Sequence, residues 1–360
     1  MTAPEEPDDA LEPALDAVEE MLLGGRPHLT RHQVAEQSGV PLEVATRLWE
    51  LLGFVHPADD EEAFTDADVV AVQHAQRLVD LGVLGADRQA ALVRTWGRSY
   101  ARLAEWQSAL LADVVLESGA DPAEALPLLA EEVLPVIDEL QSYVWRRHLV
   151  SAGGRRLATG DPSAPSLPSA VCFVDIVGYT SRSRTLDDAA LVAWIETFEA
   201  RTAELVTAAG GRVIKNIGDE VLFVADDVRT CVDVALAMVA LGDDEDDPFP
   251  AVRAGIAYGE VVHRLGDVFG PTVNIAARLT SAARPSTVLV DRGAHDALAG
   301  VDTSQERDAD DGAGGPGGPD ADDAGHHDHP HPEGLRLRRV RRVSAKGYSR
   351  LAAWVVRPRD

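Results

Sequence analysis

A glycine- and proline-rich segment at residues 153–168 divides this chain into two parts whose patterns call for different folds. Before it, apolar residues recur at three- and four-residue spacing, which is typical of helices that bury one face. After it, short apolar runs alternate with longer helical patterns, which indicates a domain of mixed strands and helices. The sequence therefore predicts an all-α domain over 13–152, a linker over 153–168 and a mixed domain over 169–360.

Two further segments lack the apolar residues that a core requires. Residues 1–12 are acidic and contain proline, so we expect a disordered tail, and they are unlike the basic start of a signal peptide. Residues 303–333 are rich in Gly, Pro, Asp and His and predict a disordered insert in the second domain. The histidines of this insert could bind a metal weakly, although a solvated loop is the favoured interpretation.

The formal charge of −27 at pH 7 limits the partners of the chain. A general affinity for nucleic acid or an anionic membrane is not expected, because phosphates would be repelled. The sequence has no uninterrupted apolar stretch of about 18 residues, so we expect no membrane span. Cys172 and Cys231 lack metal-binding spacing, and the apolar run around Cys172 predicts a buried free thiol in a reducing compartment. We therefore expect a cytoplasmic protein.

The helical part contains a segment, 29–54, with the pattern of a helix-turn-helix. Thr30 can cap a helix over 31–38, and Gly53 can end the helix that follows. The segment resembles the motif that opens MerR-type regulators, which taken alone would suggest DNA binding. However, residues 1–150 carry 10 Arg, no Lys and 28 Asp or Glu, so their net charge is 10 − 28 = −18. A DNA-binding surface needs a basic face, so reuse of the motif for protein interaction is favoured.

Lys215 and Lys346 are the only lysines among 33 basic residues. Lysine is a compact point charge and arginine a planar fork, so the two are not interchangeable in a tight pocket. A chain this biased towards arginine keeps lysine by chance or where a guanidinium does not serve. Lys215 stands in a predicted strand shortly before Gly218 and Asp219, which makes the second explanation the better one there.

Two carboxylates stand at the ends of predicted buried strands. Asp175 closes the apolar run 171–177, and Asp219 lies at the turn between 212–217 and 220–225. Alone, each could be a turn residue. Together they predict a site for a hard divalent cation such as Mg²⁺ or Mn²⁺, which prefers oxygen ligands and completes its shell with substrate phosphates.

A polar pair follows on a helix predicted over 271–283. Asn274 and Arg278 are four residues apart and therefore share one face of that helix. An amide beside a guanidinium suits an anionic transition state, whereas the simpler alternative is a solvent-facing polar stripe.

These motifs resemble the catalytic domain of class III nucleotidyl cyclases, the adenylate and guanylate cyclase family, over about 170–299 and 335–356. The resemblance implies an α+β fold, an α/β sandwich of ferredoxin-like type. It also implies two Mg²⁺ or Mn²⁺ ions per site, and ATP as substrate. The implied metal ligands are Asp175, Asp219 and the backbone carbonyl of Ile176.

The same resemblance assigns the remaining site residues. Lys215 and Asp267 match the adenine-selecting pair, and Asn274 and Arg278 match the transition-state pair. Lys346 is placed like the phosphate-contacting lysine of the last strand region. Because a lysine only donates hydrogen bonds and an ionised aspartate only accepts them, the first pair complements N1 and the amino group of adenine. The implied reaction is the conversion of ATP to 3',5'-cyclic AMP and pyrophosphate.

Assembly and control follow from the family as well. Its metal aspartates come from one protomer and the other site residues from the partner, so a chain with one complete set implies a homodimer. Residues 1–150 are similar to the helical domain that inhibits some mycobacterial and actinobacterial cyclases and releases them at acidic pH. We expect such control here, through one or more of five histidines, which are His28, His32, His56, His74 and His148. The alternative is a MerR-like interaction or DNA-binding regulator with a catalytically silent cyclase fold.

Overall fold

The computed structural model describes residues 11–82, 86–158, 166–300, 333–345 and 348–359. The chain divides into two compact units, Met1–Gly160 and Asp161–Asp360. Three predictions fall mainly or wholly outside the described residues, namely the acidic tail, the insert at 303–333 and the role of Lys346.

The described part of the first unit is helical. Its elements are α1 (Leu11–Leu23), α2 (Arg31–Ser38), α3 (Leu42–Leu52), α4 (Asp66–Asp80), α5 (Ala86–Ser118), α6 (Pro122–Glu132) and α7 (Leu134–Ala158). Thr30 is predicted to cap α2, and the spacing of Thr65 and Asp68 predicts a capping box at the start of α4. Both threonines form complete capping boxes, Thr30 with Gln33 and Thr65 with Asp68. Gly53 ends α3 in the left-handed conformation that glycine adopts without strain.

The helix-turn-helix segment forms a small core of its own. Trp49 of α3 stacks on Phe64 with ring centroids 4.6 Å apart, and Val34 of α2 is fully buried beside them. Helix α5 crosses the end of α3 so closely that a Cβ on Gly97 would lie 2.3 Å from the carbonyl oxygen of Leu52. One side of α3 is therefore covered by α5 of the same unit.

Two boundaries of the first unit differ from the prediction. Helix α7 runs through Gly153 and Gly154 to Ala158, so the first six residues of the predicted linker are helical. Each glycine costs a helix only about 1 kcal/mol, and the helix-favouring residues around them outweigh this cost. Helix α1 begins at Leu11, so the last two residues of the predicted tail, 11 and 12, are helical too. No helix among the described residues is long and apolar enough to cross a membrane.

The second unit is a mixed sheet with helices on both faces. Its elements are β1 (Leu167–Ile176), α8 (Tyr179–Arg182), α9 (Asp188–Ala208), β2 (Arg212–Ile217), β3 (Glu220–Ala225), α10 (Val228–Asp243), β4 (Val252–Arg264), β5 (Asp267–Phe269), α11 (Pro271–Ala282), β6 (Val288–Val290), α12 (Arg292–Leu298), β7 (Leu335–Ala345) and β8 (Tyr348–Pro358). The strand order is β2-β3-β1-β4-β6-β8-β7, and β5 pairs with β4.

The first half of this sheet has ferredoxin-like topology. The chain runs β1, α9, β2, β3, α10, β4, and the strands lie in the order β2-β3-β1-β4 with antiparallel neighbours. This is the split β-α-β arrangement that the sequence predicts. Strand β6 joins β4 in parallel, and β8 and β7 extend the sheet in antiparallel order.

Alternating residues of β1 build the cores on the two faces. Cys172 and Val174 pack with Phe198 of α9 on one face. Val171 and Phe173 pack with α11 on the other. The buried free thiol expected at Cys172 is confirmed. The odd-numbered residues of β1 face α11. Asp175, near the end of the strand, therefore lies on that face as well.

Several elements differ from the sequence-based expectation. The apolar runs at 251–257 and 260–264 predict two strands, but these residues form the single strand β4. Gly259 lies within this strand, and a Cβ there would meet Oγ1 of Thr272 at 3.0 Å, so the glycine marks a close helix contact and not a strand end. The sequence patterns did not predict the short helices α8 and α12 or the strands β5 and β7.

Candidate active site

The two predicted metal aspartates meet at the end of β1. The backbone N–H of Ile176 donates to the carbonyl oxygen of Asp219 at 3.0 Å, which joins the strand end to the β2–β3 turn. Gly218 makes this turn with a φ of 64°, a conformation that favours glycine. Asp175 lies opposite Glu220 of β3, so a third carboxylate stands beside the predicted pair.

An arginine that the sequence analysis missed completes this corner. Arg253 lies opposite Asp175 on β4, and its Nε and Nη2 atoms are 2.6 and 2.5 Å from Oδ2 of that aspartate. The Asp175 side chain is only 13% exposed, so the charge-assisted bonds are largely shielded from water. An arginine inside an apolar strand looks like an ordinary strand residue in sequence, and its partner is 78 residues away.

Burial and mutual repulsion shape the charges at this corner. Burial raises the pKa of Asp175, as does the charge of Asp219, while the hydrogen bond and charge of Arg253 lower it, and the net direction is upward. Burial also raises the pKa of Glu220 to about 7, helped by the charges of Asp175 and Asp219 and opposed by Arg253. Three carboxylates against one guanidinium leave an excess of negative charge.

This corner fits a divalent cation. Asp175 and Asp219 can supply oxygen ligands, and a cation would stabilise the ionised form of Asp175, whose pKa is raised first by burial and then by the charge of Asp219. No set of three or more His, Cys, Asp or Glu side chains in the described residues forms a closed metal cage. Mg²⁺ and Mn²⁺ are commonly bound by two carboxylates, and substrate phosphates then complete the coordination shell of the ion.

Glu220 provides a test of this charge balance. Its pKa is raised from 4.5 to about 7, so ionised Glu220 destabilises the fold above about pH 7, and the effect disappears below about pH 4.5, where both states are protonated. We expect Glu220→Gln to raise the free energy of unfolding by about 1–2 kcal/mol at pH 8, after allowance for solvent screening. Urea unfolding in EDTA at pH 8 and pH 4.5 measures this. An equal gain at both pH values would contradict the assignment.

The predicted base-selecting pair is assembled within one chain. Nζ of Lys215 on β2 lies 2.6 Å from Oδ2 of Asp267 on β5. The other carboxylate oxygen of Asp267 accepts from the backbone N–H of Val268 at 2.8 Å, which fixes the side chain at the start of the strand. Both side chains are part-exposed, at 41% and 30%, so a ligand can reach the pair. The two residues are 52 positions apart in the sequence.

The third predicted pair lies on α11. Asn274 is exposed and Arg278 is half-buried on this helix. The helix is held against the sheet at Gly255, where a Cβ would lie 2.3 Å from the backbone nitrogen of Thr280. Oγ1 of Thr280 also donates to the carbonyl oxygen of Phe173 at 3.2 Å, two residues before the aspartate that ends β1.

The five histidines considered for a pH response are all exposed within the first unit. His28 lies 3.8 Å from Asp66, and His56 lies 3.9 Å from Glu50. None of the five is therefore enclosed by helices in the described part of this unit. The pH response itself stays a prediction.

Comparison with known protein families matches both units. The model described as "Adenylate and Guanylate cyclase catalytic domain" matches residues 164–312. The model described as "Adenylate cyclase regulatory domain" matches residues 3–146. The two matches together span most of the chain and meet close to the division between the units.

Curated relatives match across both units. An adenylate cyclase of Streptomyces coelicolor is 39% identical over 80% of this chain and 76% of its own length. An adenylate cyclase of Glutamicibacter nicotianae is 37% identical over 79% of this chain and 75% of its own length. A pH-sensitive adenylate cyclase of Mycobacterium tuberculosis is 32% identical over 75% of this chain and 70% of its own length.

Proposed function

Because the chain belongs to the adenylate and guanylate cyclase family, we propose that it converts ATP to 3',5'-cyclic AMP and pyrophosphate with two Mg²⁺ or Mn²⁺ ions per site. The observation that carries the choice of base is the 2.6 Å contact between Lys215 and Asp267. A donor-only and an acceptor-only side chain held together complement N1 and the amino group of adenine. Guanine reverses both groups, and polar groups left mispaired in the complex lower kcat/KM for such a substrate by orders of magnitude.

The residues of the site divide the work of the reaction. When bound, the divalent ions supply activation of the ribose 3'-hydroxyl and neutralisation of the phosphates. Asp175, Asp219 and the carbonyl of Ile176 would hold them, and Arg253 orients the first of these carboxylates. Asn274 and Arg278 would stabilise the charge that develops as the 3'-hydroxyl attacks the α-phosphorus and pyrophosphate leaves.

We propose that two copies of this chain build two equivalent sites. In the family, the base-selecting pair and the metal aspartates of one protomer serve different sites, and this chain carries both sets. Around Asp267 the chain exposes large apolar side chains, which are Ile217, Val262, Leu265 and Phe269. Exposed apolar groups in this number are typical of a surface that a partner covers. A second copy would cover them and complete the site.

The direct test is the formation of cyclic AMP from ATP by the purified full chain with Mn²⁺, followed by mass spectrometry. GTP at the same concentration serves as the control for base choice. Formation of cyclic AMP with little cyclic GMP is the expected result. Absence of both cyclic nucleotides from a folded, dimeric chain would reject the proposed activity and favour the silent-cyclase alternative.

We further propose that the helical unit inhibits the catalytic unit and that mild acid relieves the inhibition. Histidine changes charge between about pH 5 and 8, and all five candidates lie on the surface of the unit, where a neighbouring unit can contact them. Full-chain activity is expected to rise on the order of tenfold from pH 8 to pH 6, which corresponds to about one pKa unit of coupling. Residues 161–360 alone should lack this rise. The same acid response in both would exclude the helical unit as the sensor.

The DNA-binding alternative has less support. Helix α3 would be the recognition helix, yet its Arg47 already pairs with Glu50 at 3.0 Å and its end is packed under α5 at Gly97. The match of residues 3–146 to a regulatory domain of cyclases also assigns this unit a different role.

A further inference from the structure

Helix α7 leaves most of its length unpacked within the described part of the first unit. Its first turns do pack there, where Ile137 and Gln141 are part-buried and Nε2 of Gln141 lies 3.5 Å from Oε1 of Gln107 on α5. From Tyr143 to Gly154, however, every residue of the helix is exposed. Helices in proteins owe most of their stability to the packing of an apolar face, so this 25-residue helix needs a further surface to pack against.

The exposed surface of α7 carries an apolar stripe with a regular repeat. Five large apolar side chains recur at spacings of four, three, seven and seven residues, and each is between 57% and 74% exposed: Val136, Leu140, Tyr143, Val150 and Leu157. These positions follow the seven-residue repeat that two helices bury between them in a left-handed coiled coil. The stripe is about 32 Å long, given the rise of about 1.5 Å per helical residue.

Two positions of the repeat are not apolar, namely Arg147 and Gly154. A polar residue at one such position is a known feature of coiled coils, where it costs stability but fixes the register and the number of chains. A glycine contributes no side chain to the seam. A helix pair built on this stripe is therefore expected to be weaker than an uninterrupted coiled coil of the same length.

We infer that α7 pairs in parallel with α7 of a second copy of this chain, and that the stripe from Val136 to Leu157 is the seam of this two-stranded coiled coil. A second copy supplies an identical stripe, and two-fold symmetry brings the same patch of both chains together. A catalytic unit packed on α7 would not require a seven-residue repeat over this length.

The parallel direction of the pair rests on the proposed homodimer. Helix α7 ends at Ala158 and β1 begins at Leu167, so a short connection joins the end of each helix to a catalytic unit. If the two catalytic units pair around a two-fold axis, a parallel pair of helices places both of these ends on the side where the units meet. An antiparallel pair would place the ends on opposite sides.

Cysteine cross-linking in the full chain tests the pairing, because both native cysteines are fully buried. Leu140→Cys, Val150→Cys and Leu157→Cys place single thiols on the stripe, and Ala152→Cys places one on the opposite face as the control. All four positions are exposed, so the variants are expected to fold. Mild oxidation with copper phenanthroline and non-reducing electrophoresis should show covalent dimers with each stripe variant and few with the control.

Three outcomes would overturn the inference. The first is a full chain that is monomeric in analytical ultracentrifugation. The second is a dimeric chain in which any of the three stripe variants fails to cross-link with itself, and cross-links that form only in a mixture of Leu140→Cys and Leu157→Cys chains would identify an antiparallel pair. The third is cross-linking of Ala152→Cys to the same extent as the stripe variants.

Two exposed neighbours on α7 give a matched pair of substitutions for a second readout, the dissociation constant of the dimer from sedimentation equilibrium. Val150→Asp places a charge in the seam, and Leu149→Asp places the same charge one residue away, off the stripe. Val150→Asp should raise the dissociation constant on the order of a hundredfold, because two valines leave the buried seam. Leu149→Asp should change it by no more than about threefold, as is usual for surface substitutions. Equal effects of the two would overturn the inference.

Both readouts are independent of catalysis, so they separate this inference from the proposed function. Formation of cyclic AMP by a chain that gives no cross-links on the stripe would reject only the helix pair. Cross-links at all three stripe positions without formation of cyclic AMP would reject only the proposed activity.

Discussion

An Asp175→Ala chain is expected to form cyclic AMP roughly a thousandfold more slowly than the unaltered chain, because metal activation supplies several kcal/mol to such a reaction. The Asp175 side chain is only 13% exposed, and burial raises its pKa, so the ionised group is held there at a cost to the fold. Stability should therefore change little, and urea unfolding should show a similar midpoint. A loss of activity that follows a loss of folded protein would not support the assignment.

Complementation provides the control for this prediction. An Asn274→Ala chain should be nearly inactive alone, because it lacks a transition-state residue in both sites of a homodimer. Mixing it with the Asp175→Ala chain should restore one complete site in each heterodimer. About a quarter of the unaltered activity is then expected, since half of randomly paired dimers are mixed and each has one of two sites intact. Folded, mixed chains that remain inactive would contradict sites shared between protomers.

Exchange of the base-selecting pair is expected to have the second large effect. With Lys215→Glu and Asp267→Cys, an acceptor replaces a donor and a weak donor replaces an acceptor, which suits guanine better than adenine. The specificity for ATP over GTP, as a ratio of kcat/KM values, should fall by on the order of a thousandfold. Measurement of both cyclic products by mass spectrometry at equal substrate concentration gives this ratio.

Two variants separate base choice from general damage. Lys215→Arg keeps the donor and the charge but not the compact shape, so it should lower ATP turnover without a gain for GTP. The double variant should retain the Mn²⁺ affinity of the metal corner, because neither residue belongs to it. An unchanged preference for ATP in the double variant would show that Lys215 and Asp267 do not read the base.

Much of the fold follows from local signals in the sequence. The capping boxes at Thr30 and Thr65 begin α2 and α4 where the spacing predicts, and the turn at Gly218 separates two strands with the predicted ends. These local signals failed to predict elements whose position depends on tertiary contacts. Gly259 looks like a strand end because its reason, the close approach of α11, is not local. Strand β7 mixes arginine with apolar residues, so its local pattern does not identify it as a strand. It forms by pairing with β8.

The site shows the same division between local and distant information. Asp175 and Asp219 stand out because a carboxylate that ends an apolar run has few structural explanations. Arg253 does not stand out, since its meaning arises only when β4 pairs with β1.

The contact between Lys215 and Asp267 has a consequence for turnover. On the proposed function, the two side chains satisfy each other before the nucleotide binds, so an incoming base must separate them and the departing base allows them to rejoin. On the proposed function, the product keeps its adenine but has lost the pyrophosphate that the metal ions hold, so the base contacts account for most of its remaining affinity. The re-forming ion pair competes with those contacts. Such a site releases cyclic AMP readily and resists inhibition by its own product.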